Sequence, residues 1–203
     1  MRERPMIFCG YSVRSILADL KWATRRVVKG IDPDRLGETM TRAQWQQVNR
    51  EMPEAFGATD FCPYGQPGDR LWVREAWAAD AQLDSIPPRD LSQGEPILYQ
   101  ADGALRQTGC SMVAKGKQRP AMFMPRWASR ILLEITSVRV ERLHAITNDQ
   151  CIAEGCRGGH GSIPGYIYNA TPQEHFRHIW ESVGGDYFAN PWVWVVEFRR
   201  VTA

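Results

Sequence analysis

The sequence predicts an α+β fold built round a compact barrel. Three observations carry that prediction. Residues 70–77 alternate as a strand does, residues 191–201 are apolar on both faces as a central strand is, and Thr147 and Thr171 each open a short helix with a capping signature. Length agrees, since 203 residues fit one decorated domain at roughly 100–200 residues per domain. The chain reads as a single domain over 1–203, with insertions at about 30–60 and 78–120.

The first element is an amphipathic helix after Ser12, with Val13, Ile16, Leu17 and Leu20 on one face. A cluster of reactive and basic side chains from Asp19 to Arg26 then runs into a strand ending near Val28. A second helix is expected from Thr41, where Gln44 completes a capping box and Trp45, Val48 and Met52 share a side. Turn formers from Cys62 to Asp69 break the chain before the strand at 70–77, whose alternation places Glu75 on an apolar face with Leu71, Val73 and Trp77. Residues 78–119, rich in Pro, Gly, Gln and Ser, read as a long mobile excursion with one short strand at Pro96–Gln100.

The β-branched run at 131–143 is one long bent strand or two strands. Thr147 and Gln150 then cap a short helix that Gly155 ends at C′, leaving Glu154 in its last turn. After a glycine-rich loop, Thr171, Pro172 and Glu174 start a helix with Phe176, Ile179 and Trp180 inward, which stops at Gly184-Gly185. The strand at 191–201 closes the chain.

Hydrophobic residues at 43% and charged residues at 24% describe a globular chain able to bury a core, which excludes wholesale disorder. No membrane-length apolar run and no cleavable leader are present, and five scattered cysteines make no disulfide framework, so a cytoplasmic location is expected. Net charge is only +2, yet residues 1–30 and 115–142 each hold seven Lys and Arg against two acids. If those two segments meet, they make the positive face that a phosphate-bearing partner requires.

Several constellations carry chemistry. Lys21-x-x-Thr24-x-Arg26 sets an amine near a hydroxyl, the arrangement in which a lysine of lowered pKa activates a threonine nucleophile. Glu154, where the helix dipole disfavours a carboxylate, is placed as a proton acceptor. Glu75 is either a second functional carboxylate or the buried partner of Arg74, Arg126 or Arg130. Trp22, Trp72, Trp77 and Trp127 lie close to arginines, a pairing that stacks bases. Cys151, Cys156, His160, His175 and His178 match no common zinc spacing, so no metal is expected. No P-loop, dinucleotide fingerprint or nucleophile elbow occurs, which removes support for those chemistries.

Lys21-x-x-Thr24-x-Arg26, Pro67-Gly68-Asp69-x-Leu71-x-Val73-x-Glu75, the Ile146-Thr147 helix with Glu154 and the Trp192–Phe198 strand together resemble ASCH-domain proteins. The Cys62–Asp69 and Met124–Arg130 segments are similar to ASCH proteins encoded by tailed phages and prophages. The resemblance implies a PUA-like β-barrel with a cleft for RNA or a modified nucleoside, lined here by Lys21, Arg25, Arg26, Arg74, Arg126 and Trp127 with Glu75 beside them. It implies no cofactor and no membrane partner. One branch of that family hydrolyses N4-acetylcytidine, and by motif its lysine, threonine and glutamate fall on Lys21, Thr24 and Glu154. A phage assembly or host-interaction protein is the further alternative. The family's glycine two residues before the lysine is Asp19 here, which tolerates a left-handed helix end but adds a carboxylate that tends to hold Lys21 protonated.

Overall fold

The computed structural model of the protein describes residues 1–29 and 62–201, so the helix read from Thr41 lies outside the described residues. Eight strands and three α-helices are described: β1 Glu3–Ile7, α1 Gly10–Leu17, β2 Ala23–Val27, β3 Arg70–Arg74, β4 Trp77–Ala78, β5 Ile97–Tyr99, β6 Leu105–Arg106, β7 Leu132–Arg142, α2 Asn148–Ala153, α3 Pro172–Ser182 and β8 Trp192–Arg200. The fold is mixed α+β, with a five-stranded sheet in the order β1-β3-β7-β8-β2 and a three-stranded sheet in the order β4-β5-β6. Among the described residues the larger sheet has β1 and β2 as its edges, so its strand order does not close the ring of a barrel. No helix among the described residues is long and apolar enough to cross a membrane. The chain forms two compact units, each assembled from distant segments.

The first unit comprises Met1–Lys21, Asp69–Glu134 and Arg199–Ala203. Here β1 runs parallel to β3, from Glu3 opposite Arg70 to Ile7 opposite Arg74, and β3 pairs antiparallel with the start of β7. Helix α1 begins at Gly10, three residues before the expected start at Val13, and buries Val13 and Ile16. It ends in a Schellman motif: the Leu20 amide donates to the Ser15 carbonyl, the Asp19 amide donates to that of Ile16, and Asp19 adopts φ +54°. A short polar side chain tolerates that left-handed position better than most. The Asp19 carboxylate accepts from Arg200 Nη2 at 3.0 Å.

The strand expected over 70–77 stops at Arg74 and resumes at Trp77 in the smaller sheet. The excursion beyond it is a lobe with its own core of Trp77, Ala79, Leu91, Ile97, Tyr99, Met124 and Ala128. This corrects the reading of a loose excursion. Trp77 and Arg119 exchange both backbone hydrogen bonds across its base. The Asp80 carboxylate collects the amides of Gln82, Val113 and Ala114, and Arg119 donates to the carbonyls of Leu83 and Ile86. Two side chains thus satisfy backbone groups that an irregular segment would otherwise bury unpaired. Those amides, led by that of Gln82 and then Val113, hold the Asp80 carboxyl below the usual aspartate range.

The second unit comprises Trp22–Gly68 and Ile135–Phe198. Strand β2 is antiparallel to β8, from Ala23 opposite Glu197 to Val27 opposite Val193, and Val193, Trp194, Val195 and Val196 are all buried. The run at 131–143 is one strand, β7, of 11 residues. Both capping boxes form, Thr147 with Gln150 on α2 and Thr171 with Glu174 on α3. Gly155 takes φ +86° directly after the Glu154 C-cap. Phe176 and Trp180 are buried with ring centroids 5.9 Å apart, while Ile179 is only half-buried.

Candidate functional site

In the second unit, β2 carries Thr24 and Arg25 inward. Thr24 is 5% exposed, Arg25 4% and Glu154 6%. A guanidinium so far from water requires compensating partners. Arg25 Nη2 donates to Glu141 on β7 at 2.5 Å and to Gln150 on α2 at 3.0 Å, and its Nη1 donates to Glu154 at 3.3 Å. Its guanidinium carbon lies 5.9 Å from the Phe176 ring centroid.

Gln150 has two duties. Its Oε1 closes the α2 capping box by accepting the Thr147 amide at 2.9 Å, and it also accepts from Arg25. The start of α2 and its Glu154 C-cap are therefore tied to one cation. Glu154 is buried and ion-paired with Arg25 rather than exposed at the helix end. Cys151 sits in the same helix with its thiol pushed up to about 12, by burial first and by Glu154, with Arg25 opposing. Such a thiol is a small core residue and not a nucleophile. No three His, Cys, Asp or Glu among the described residues are gathered to hold a metal ion. Arg26, half-buried, lowers the phenol of Tyr64, although burial raises that group overall.

Lys21 is 6% exposed and is the last residue of the first unit's opening segment. The other expected residues of that unit separate into three places. Arg74 and Arg126 gather on Trp72, their guanidinium carbons 4.5 and 5.9 Å from the Trp72 ring centroid. Trp72 and Arg74 stand two apart on β3 and so share a face. Arg126 also pairs with Glu3 at 2.9 Å, where both side chains are exposed and the pair contributes little. Arg74 makes no ion pair among the described residues, and its Nε is buried without a hydrogen-bond partner.

Glu75, 1% exposed, belongs elsewhere. It accepts from Arg130 Nε at 2.8 Å and Nη2 at 3.0 Å, and the same guanidinium holds Asp102 at 2.9 Å and lies 4.0 Å from the Tyr99 ring centroid. Burial pushes the Glu75 carboxyl up while Arg130 pulls it back, leaving it above the usual range. Of the three arginines considered for Glu75, the partner is thus Arg130, and the carboxylate ties the turn after β3 to the lobe. Trp127 packs against the lobe's core, with Arg106 stacked on it at 5.1 Å and donating to its carbonyl. Its ring is a wall of that core.

Two features escaped the sequence reading. One is the second role of Gln150. The other is a cavity of about 510 Å³ lined by Arg74 together with Met122, Phe123 and Pro125. A signal for the latter exists in Pro120-Ala-Met-Phe-Met-Pro125, an apolar run bracketed by prolines inside a polar segment.

No family model matches the chain, and no curated protein matches it. Among solved structures it is similar to the ASCH domain of Lactobacillus crispatus JV V101, at 11% identity and a TM-score of 0.38, over 98% of this chain and 79% of that one. An overlap this loose transfers neither a fold nor an activity.

Proposed function

We propose that this protein is a nucleic-acid-binding module, of the ASCH kind its motifs resemble, that takes RNA or a modified nucleotide. The observation that supports it most directly is the Trp72 indole carrying two guanidiniums, one of which, Arg74, has no carboxylate to neutralise it among the described residues. Arginine stacked on an aromatic ring presents a planar edge of donors to phosphate or base. Lys21, Arg74 and Arg126, all in the first unit, are the cations of this reading. Arg25, held by Glu141 and Glu154, positions β2 against α2 instead of meeting phosphate. The same motifs group the chain with phage and prophage proteins.

Fluorescence anisotropy with a labelled RNA tests it. Each phosphate neutralised on a single strand contributes about −0.7 to the slope of log K against log salt. A slope of about −2 or steeper is expected from three or more contacts, whereas a flat response, or no binding at low salt, overturns the proposal.

An amidohydrolase is the second reading, favoured by the burial of Thr24 and of Glu154. In it Thr24 Oγ attacks the acetyl carbonyl of N4-acetylcytidine while Lys21 Nζ accepts the hydroxyl proton. The amine of cytidine then leaves with a proton, and water hydrolyses the acyl-threonine to acetate. Glu154 orients the lysine or handles the leaving amine. Chromatography of N4-acetylcytidine incubated with the protein decides: cytidine release that Thr24→Ala abolishes in a folded variant supports this reading, and no turnover removes it.

A further inference from the structure

Two cavities open on the first unit and share a ridge. The one of about 510 Å³ is lined by Arg74, Arg89, Met122, Phe123 and prolines, and the other, of about 370 Å³, by Lys117, Arg119 and Phe123 among others. Pro87, Pro88 and Phe123 line both. The larger lies within the range of about 300–1,000 Å³ usual for ligand sites.

The ridge is built to display a ring. Residues Ala121–Phe123 form a single 3₁₀ turn between Pro120 and Met124, and Met124 is buried in the lobe's core. That anchor leaves Met122 57% and Phe123 54% exposed. Phe123 has no ring partner among the described residues, unlike the aromatics of the lobe, which are buried or stacked under arginines. An exposed phenyl held by a rigid turn between two cavities is unexplained by packing.

Charge says what the larger cavity takes. Among the described residues that line it are Arg74 and Arg89 and no Asp or Glu. Arg89 pairs with its neighbour Asp90 at 3.7 Å, with both side chains exposed, and Arg74 Nε is buried without a hydrogen-bond partner among the described residues. The flat faces of Phe123 and the prolines suit a planar heterocycle, and the cations suit an anion attached to it. A duplex keeps its bases stacked inside, and an acidic peptide brings charge without a flat ring.

We infer that the Phe123 ridge is a stacking platform for the bases of an unpaired nucleic-acid strand, one base entering the larger cavity with its phosphate on Arg74 and Arg89. This rests on the nucleic-acid reading above and adds the strandedness and the platform. Phe123, a positioning and stacking residue here, acts by its ring and not by charge.

The test compares wild type, Phe123→Ala, Phe123→Trp and Arg74→Gln by anisotropy on a labelled single-stranded RNA, the same sequence as a duplex, and an acidic peptide. Phe123→Ala is expected to weaken single-strand binding about tenfold without changing the salt slope, and Phe123→Trp to retain it. Arg74→Gln is expected to flatten the slope by about 0.7. Wild-type binding of the single strand with unchanged affinity in Phe123→Ala, or preference for the duplex, overturns the platform and leaves the nucleic-acid reading standing. Binding of the acidic peptide alone overturns both.

Discussion

Replacing Arg25 by methionine is the perturbation that most sharply tests how the second unit is held. The Arg25 side chain is 1% exposed and bridges Glu141 and Glu154, whose side chains are 18% and 6% exposed. Methionine retains much of the volume beside Phe176 but removes the one donor that Glu141, Glu154 and Gln150 share, leaving Arg139 on Glu141 and the Thr147 amide on Gln150. Breaking a buried pair costs about 3–5 kcal/mol, and the partial exposure of Glu141 argues for the lower end. A loss of about 3 kcal/mol is a large share of a total stability of about 5–15 kcal/mol. It corresponds to a fall in Tm of about 6–12 °C for a chain of this size.

Urea and thermal unfolding of Arg25→Met, Glu154→Gln and the double variant measure it. Glu154→Gln alone should cost about 1 kcal/mol, because the amide still accepts from Arg25. The double variant should be less destabilised than the sum of the singles, with a coupling of about 0.5–3 kcal/mol. A loss below about 1 kcal/mol in Arg25→Met, or strict additivity, would refute the argument that this cation holds β2 to α2.

Asp80→Asn tests the lobe by pH. The aspartate is held below its usual value by the Gln82, Val113 and Ala114 amides, so its contribution is present above the ordinary unfolded value and lost as pH falls through the depressed folded one. Wild type should therefore lead the variant at pH 7, with the gap in Tm closing below about pH 4; a gap constant from pH 7 to 2.5 contradicts the reasoning. Gly158 adopts φ +70°, and a β-carbon there would meet the Ala170 carbonyl oxygen at 2.3 Å. Gly158→Ala should lose at least about 1 kcal/mol in urea unfolding, and an unchanged midpoint would mean that the loop before α3 is not held as described.

Helix boundaries were readable where they depend on neighbours in the chain. Thr147 with Gln150, Thr171 with Glu174, and Gly155 each act within a few residues, and their geometry appears as their spacing implies. Helix α1 starts early because Cys9 serves as its N-cap, whose carbonyl accepts the Val13 amide, with no side-chain cap to announce it. The lobe was illegible for a different reason. Its order depends on Asp80 and Arg119, each reaching backbone groups more than thirty residues away, and hydrophobic periodicity carries no trace of such ties.

The site divides in the same way. Trp72 and Arg74 are two apart on a strand, so their stacking follows from alternation. Arg25 looked like one more basic side chain in a basic run, because its carboxylates lie 116 and 129 residues further along. Glu75 sat on an apolar face in the sequence, which left a functional carboxylate and a buried ion pair both open, and its pairing with Arg130 comes from a long-range approach.

The most direct test of the central claim is the salt dependence of RNA affinity in wild type and in Arg74→Gln/Arg126→Gln. If the Trp72 guanidiniums each meet a phosphate, the double variant binds several RNA sequences more weakly by a similar factor, and its slope is flatter by about 1.4. An unchanged slope and affinity would place the contacts elsewhere and contradict a binding site built on Trp72.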